Sequence, residues 1–364
     1  MIASGSAFHP RARDHRRAIA VWLLVCAALI FAMVLLGGAT RLTDSGLSMV
    51  EWRIEGVLPP ATEVDWEAAF DKYKQFPEYK KLRPWMVLDD FKRIYWFEYS
   101  HRTLGRIIGI FFVVPLIFFV AARRVERRLA IRLAAVLGLG GLQGLLGWFM
   151  VQSGLVDRPD VSHYLLAVHL GLAVALYGYL IWITLDLLHP GRLAEWPSLG
   201  AVALLVLVFI TILSGALVAG LDAGFAYGSF PLMDGRMIPA DLFAHSPWYA
   251  NFTENVVTVQ FDHRILGVVT AIFVVGQWLY RRQLHRRRHA AFDVLPVVVC
   301  GQVGLGIATL VLAVPMSLAI AHQAGALMLI TAALMAAHAT ALPASGRLET
   351  LALHGELTAR SASH

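Results

Sequence analysis

Eight runs of mostly apolar residues, each about twenty residues or longer, divide this chain: 18–38, 99–122, 129–152, 161–187, 199–220, 257–280, 294–314 and 316–339. A helix needs about 20 such residues to cross a bilayer. In hydrocarbon a backbone satisfies its own polar groups only as a helix or a closed barrel. Continuous apolar runs without two-residue alternation select the helix, so the expected fold is an all-α polytopic membrane protein. With 58% hydrophobic and only 15% charged residues, a soluble fold of this length could not hide the apolar surface.

The net charge of +6 does not point to nucleic acid, because the arginines cluster in short segments between runs. Arg123-Arg124, Arg127-Arg128, Arg281-Arg282 and Arg286-Arg287-Arg288 fall on the side of the N-terminal tail. By the positive-inside rule that side is cytoplasmic, or matrix-facing in an organelle, and eight spans return the C-terminus to it. The first run is too long for a secretory h-region and lacks a small-residue cleavage site, so it is expected to be kept as a span. The long segments 39–97 and 221–256 then lie outside. Within the first, residues 64–82 are expected to form an amphipathic helix on the membrane surface, with Trp52, Trp66, Trp85 and Trp96 at headgroup level.

The two halves repeat one another in order. Phe97-Glu98-Tyr99-Ser100-His101-Arg102-Thr103-Leu104-Gly105 is echoed by Val259-Gln260-Phe261-Asp262-His263-Arg264-Ile265-Leu266-Gly267. Gly38, Asp44 and Gly46 correspond to Gly215, Asp222 and Gly224; Gln143 and Gly147 to Gln302 and Gly306; His169 to His322. Each half has four spans of matching direction, a parallel repeat. The expected architecture is two four-helix bundles related by internal duplication. Residues 1–17 form a tail, 18–187 the N-terminal bundle with outer loop 39–97, 188–198 a linker, 199–340 the C-terminal bundle, and 341–364 a second tail.

His101, His169, His263 and His322 therefore enter from the even-numbered spans at similar depth, two per bundle. Ionisable residues inside spans are costly and usually functional, although a single such histidine can simply bond across helices. Paired imidazoles without a ladder of Cys, Asp or Glu suit axial ligation of a haem iron better than zinc. Gly105 and Gly267, one helical turn beyond their histidines, and Gly325, three residues beyond His322, leave room for a flat macrocycle. Arg102 and Arg264 can pair with propionates or snorkel to headgroups. Glu98 shares a helix face with His101 and is matched by Gln260, which cannot exchange a proton; one pocket is thus expected to do chemistry and the other to hold a permanent haem. His163 lies on the wrong face for ligation, and His338 is read as snorkelling at the inner end. Cys26 and Cys300 stand alone in apolar runs and carry no redox motif.

On Gly37-Gly38-Ala39-Thr40-Arg41-Leu42-Thr43-x-Ser45-Gly46, Glu98-x-x-His101-Arg102, His169, Phe261-Asp262-His263-Arg264 and His322-Gln323, the sequence resembles the haem A synthase family over nearly its whole length. Lacking cysteines in its outer loops, it resembles the subgroup shared by proteobacteria and mitochondria, so no loop disulfide carries electrons. The resemblance implies an oxidoreductase that converts the C8 methyl of haem O to a formyl group by successive hydroxylation. It implies haem b as cofactor between His263 and His322, substrate haem O between His101 and His169, and Glu98 as the catalytic carboxylate. Expected partners are haem O synthase, cytochrome oxidase assembly factors, membrane lipid and an unidentified electron acceptor, with a homo-oligomer left open. The expected location is the bacterial inner membrane, or alternatively the mitochondrial one. Two rivals stand beside this reading. A quinol-linked b-type cytochrome would normally place histidines near both faces, and a transporter would carry broken-helix or charged sites at the midplane.

Overall fold

Water is absent from hydrocarbon, so each apolar run must close its backbone hydrogen bonds within itself, and each does. The computed structural model describes residues 10–51, 56, 58–156, 161–189, 197–284 and 290–341. Residues 1–9, Trp52, Pro190 and Gly191, the cluster Arg286, Arg287 and Arg288, and the tail from 342 onward lie outside the described residues. The helices are α1 (Pro10–Leu42), α2 (Glu63–Tyr73), α3 (Pro77–Leu82), α4 (Leu88–Ala121), α5 (Arg127–Val156), α6 (His163–Leu188), α7 (Leu199–Gly220), α8 (Asn251–Glu254), α9 (Val256–Leu284), α10 (Ala290–Val311) and α11 (Met316–Thr340). Among the described residues eight helices are long and apolar enough to span a membrane: α1, α4, α5, α6, α7, α9, α10 and α11.

In the first half α1, α4, α5 and α6 each touch the next, and α6 closes onto α1. In the second half α7, α9, α10 and α11 close in the same cyclic order. Contacts of α11 with α1 and α6, and of α6 with α7, join the two rings. The apolar core, including Leu23, Cys26, Leu180, Ile183, Leu204, Leu295 and Ala333, fills the side of the short connections. Ile110, Val114, Ile117, Ile272 and Val297 remain exposed, as a lipid-facing surface requires.

Proline inside α4 illustrates how the sequence satisfies its backbone. Pro115 has no N–H to give to the carbonyl four residues back; the Trp22 indole N–H donates to Phe111 O at 3.0 Å instead.

Three expectations change at the ends of the spans. The later part of the N-terminal tail is the first turns of α1. α4 begins at Leu88, well before the expected start, so Glu98 and His101 sit inside a continuous helix. Pro77 splits the loop helix into α2 and α3. The buried face of α2, Trp66, Phe70 and Tyr73, packs on Phe91 and Tyr95 of the projecting end of α4. Trp66 is consequently a core residue, whereas Trp85 and Trp96 stay exposed.

Candidate functional site

Toward the long loops the helices part around one continuous cavity of about 2350 Å³, lined by His101, His169, His263, His322, Glu98 and Gln260. Drug-sized ligands occupy roughly 300–1,000 Å³, so this space is large enough for a ligand beyond that size. All four histidines expected from the sequence thus face a common space.

Each ring rests on a glycine of a neighbouring helix. A Cβ at Gly37 would lie 3.2 Å from His101 Nε2, and one at Gly147 would lie 3.2 Å from His169 Cε1. At Gly215 and Gly306 the corresponding distances are 3.0 Å to His263 Cε1 and 2.9 Å to His322 Cε1. Only a residue without a side chain lets the ring lie against the helix there. Gly37, rather than the expected Gly38, is spaced from Asp44 and Gly46 as Gly215 is from Asp222 and Gly224. Asp44 and Asp222 both take the left-handed conformation, φ 46° and 52°, which Asp tolerates better than most residues.

The His263 and His322 ring centroids are 6.3 Å apart with planes at 89°. Two metal–nitrogen bonds of about 2 Å each, plus the ring radii, set trans imidazole centroids roughly 6 Å apart. The pair is close enough for both imidazoles to be candidate ligands of one group. The Nδ1 atoms of His169, His263 and His322 make no well-formed hydrogen bond. The backbones of Thr211 and Gln302 approach the His263 and His322 rings.

The two helix mouths are built alike and charged differently. Arg102 donates to Met49 O and Glu51 O at 2.8 and 2.9 Å. Arg264 donates to Tyr227 O and Ser229 O, both at 2.8 Å. Each arginine straps an outer loop to its helix. In the first half Arg102 also pairs with Glu98, whose other oxygen accepts from Ser48 Oγ and Met49 N at 2.7 Å each. In the second half Gln260 Nε2 donates to Tyr227 O at 3.2 Å, its Oε1 has no partner, and neither does Arg264 Nε. The cationic charge is thus neutralised beside His101 and left over beside His263.

Several residues behave unlike their expected roles. Gln302 Oε1 would stand 2.1 Å from a Cβ at Gly325, so that glycine makes room for a side chain, not a macrocycle. Gly267 does face open space, and Gly105 has Met33 Cε 3.0 Å from its would-be Cβ. His338 does not snorkel. It is 2% exposed and meets Asp186 at 3.0 Å, while Arg132 takes the other carboxylate oxygen at 2.7 Å. His163 lies 3.7 Å from Glu254. Glu78, buried in the cavity wall, gave no sequence signal, since it is one of many acidic residues in a polar loop.

Fold and site together define an eight-span helical membrane protein whose intramembrane histidines face a shared cavity. The sequence pattern of the cytochrome oxidase assembly proteins matches residues 20–334. The chain belongs to that family, among the haem A synthases. It is 51% identical over 333 residues to the protein named Heme A synthase in Nitrosospira multiformis, covering 89% of this chain and 93% of that one. Proteins of the same name in Nitrosomonas eutropha and Parvibaculum lavamentivorans are 45% identical over 339 residues and 48% over 327. Those alignments cover 90% and 89% of this chain, and 95% and 94% of the relatives.

Proposed function

We propose that this protein oxidises the C8 methyl of haem O to a formyl group, giving haem A. The observation that carries the reading is the unequal pair of mouths on one cavity: Glu98–Arg102 beside His101, and Gln260–Arg264 beside His263. The N-terminal bundle, residues 18–187, takes the substrate haem O between His101 and His169. The C-terminal bundle, residues 199–340, holds haem b between His263 and His322. The matched cyclic order of the two halves and their four glycine-seated histidines support an origin by internal duplication.

Haem b, when bound, supplies one-electron redox chemistry. The protein's contribution is position and charge. Gly215 and Gly306 fix the His263 and His322 rings, and Arg264 offers an uncompensated cation to a propionate. In the substrate half, Ser48 and Met49 hold the Glu98 carboxylate still. A preoriented negative charge stabilises positive charge as it develops on the carbon being oxidised, without reorganisation at that moment. Arg102, committed to Glu98 and two loop carbonyls, acts more as the strap than as a propionate ligand. The arginines between α4 and the start of α5 and at the end of α9 support cytoplasmic termini by the positive-inside rule, and the bacterial relatives favour the inner membrane. Haem O synthase would deliver the substrate and cytochrome oxidase assembly would receive the product.

Expressed with a haem O supply and analysed by pyridine haemochrome and chromatography, the wild type is expected to yield haem A and retain haem b. Glu98→Gln and Glu98→Ala should abolish haem A and keep haem b. His263→Ala should lose the resident haem, and His101→Ala should keep it. Normal haem A output from either Glu98 variant would sink the assignment.

A further inference from the structure

A second carboxyl faces the same cavity in a different state from Glu98. Glu78, on α3, is 4% exposed and lines the cavity together with Glu98 and His101. Among the described residues its Oε1 meets Arg83 Nε at 3.7 Å, its Oε2 makes no well-formed hydrogen bond, and the Tyr73 hydroxyl is a close polar neighbour. The Glu98 oxygens, by contrast, are engaged by three donors. An ionised carboxylate with so few hydrogen bonds is expensive to bury, so a site like this favours a carboxyl that can carry a proton.

The surroundings connect it to solvent. Arg83 reaches from Glu78 to Asp44, Nη2 to Oδ2 3.0 Å, and the Asp44 side chain is 57% exposed. The groups facing Glu78 are Tyr73 from α2, Arg83 after α3, Asp44 after α1 and Glu98 from α4. Residues 147–156, at the near end of α5, include no titratable side chain.

We propose that Glu78 is the proton-exchange group of the outer-loop wall, passing protons between the buried site at Glu98 and the aqueous face of the long loops. This rests on the haem O reading above. In the step, a proton released at the Glu98 site as the substrate is oxidised passes through a bridging water, which gains one O–H bond as it gives up another to Glu78 Oε2. The proton then leaves by way of the Asp44 surface, and no electron moves with it. Burial pushes the Glu78 carboxyl up to about 7, with Arg83 and the Tyr73 hydroxyl opposing and Glu98 and Asp44 assisting. That value is near the working pH, where a proton carrier is most effective. Glu78 acts through the Glu98 site and is a positioning and relay residue.

The test uses the full-length, haem-loaded protein in nanodiscs, as wild type, Glu78→Gln and Glu78→Asp. Infrared difference spectra against pH are expected to show a carboxyl C=O band in the wild type that titrates near pH 7 and is missing from Glu78→Gln, with the haem absorbance unchanged. Haem O conversion should fall about 10- to 100-fold in Glu78→Gln, a loss within the usual range for acid–base groups or below it, and the pH limb near neutrality should vanish. Glu78→Asp should restore most of the rate with a displaced limb. A Glu78→Gln protein with the wild-type rate and limb would overturn the relay and leave the proposed function standing. Equal losses in both variants with an unchanged limb would also overturn it, in favour of a structural role. A wild type that converts no haem O would overturn the function itself, and the relay with it.

Discussion

Methyl-sized differences at glycine decide where the cavity's histidine rings can point. A Cβ at Gly306 would meet His322 Cε1 at 2.9 Å, and a helix backbone cannot retreat without moving its neighbours. Gly306→Ala is expected to tilt the ring, cost about 1–3 kcal/mol by overpacking and lower resident haem content, read by pyridine haemochrome. Gly138→Ala, where nothing lies within 4 Å, should keep full haem and gain up to about 1 kcal/mol of helix propensity. If both variants bind haem alike, the glycine seat has no role. The histidines were legible in the sequence because ionisable groups inside apolar runs stand out. Their seats were only half legible. Gly147 and Gly306 appeared in the repeat, Gly37 was passed over for Gly38, and Gly325 was assigned to a macrocycle although Gln302 fills its space. Those errors share a cause, since a glycine's function depends on what approaches it from another helix. Glu78 was invisible for the same reason. Its raised proton affinity also fixes a sign. The protonated form stabilises the fold fully below the usual carboxylate range, and that contribution is lost as pH rises through about 7. Thermal melts should therefore show the wild type weakening from pH 5 to pH 8 relative to Glu78→Gln; parallel curves would contradict the burial argument.

Elements, unlike single contacts, were read well in number and poorly at their ends. Eight apolar runs became eight spanning helices because the bilayer leaves the backbone no alternative. The start of α4 was missed because residues 88–98 are polar on one face and owe their helicity to packing. Trp66, Phe70 and Tyr73 cover Phe91 and Tyr95 there, so Trp66, expected as a headgroup anchor, belongs to the core of an outer cap. Among the ties of the cap and the second loop to the spans are the two arginine straps. Lysine keeps the charge of Arg264 and cannot reproduce its planar two-pronged donation to Tyr227 O and Ser229 O. Arg264→Lys is expected to lose about 1–2 kcal/mol of local stability and to expose residues 221–255 to faster limited proteolysis from the long-loop side. Cleavage at the wild-type rate would show that the strap is dispensable.

The whole molecule is held together by polar ties between the rings, set at different depths. Near the long loops Arg41 spans Asp44 at 2.8 Å and Asp222 at 3.0 Å. Further in, Gln323 Nε2 donates to Val34 O at 3.1 Å, and Tyr177 and Thr331 share a hydrogen bond of 2.7 Å. Toward the short loops Asp186 of the first ring takes His338 of the second, with Arg132 on its other oxygen. None of the ties between the rings was legible, because each joins residues far apart in sequence. Their distribution has a consequence for how the protein fails. Removing Asp186 leaves a buried imidazole and a partly buried guanidinium unpaired, a loss on the order of 3 kcal/mol for a broken buried pair. The cluster lies at the opposite end from the cavity, so the native haem spectrum of Asp186→Ala should match the wild type. Its thermal transition should come earlier, with the absorbance of both proposed haem sites lost in one step, because the rings separate before either opens. Asp186→Ala combined with His338→Ala should recover part of the loss by removing the stranded imidazole. A double variant no more stable than Asp186→Ala would place the coupling between the rings elsewhere.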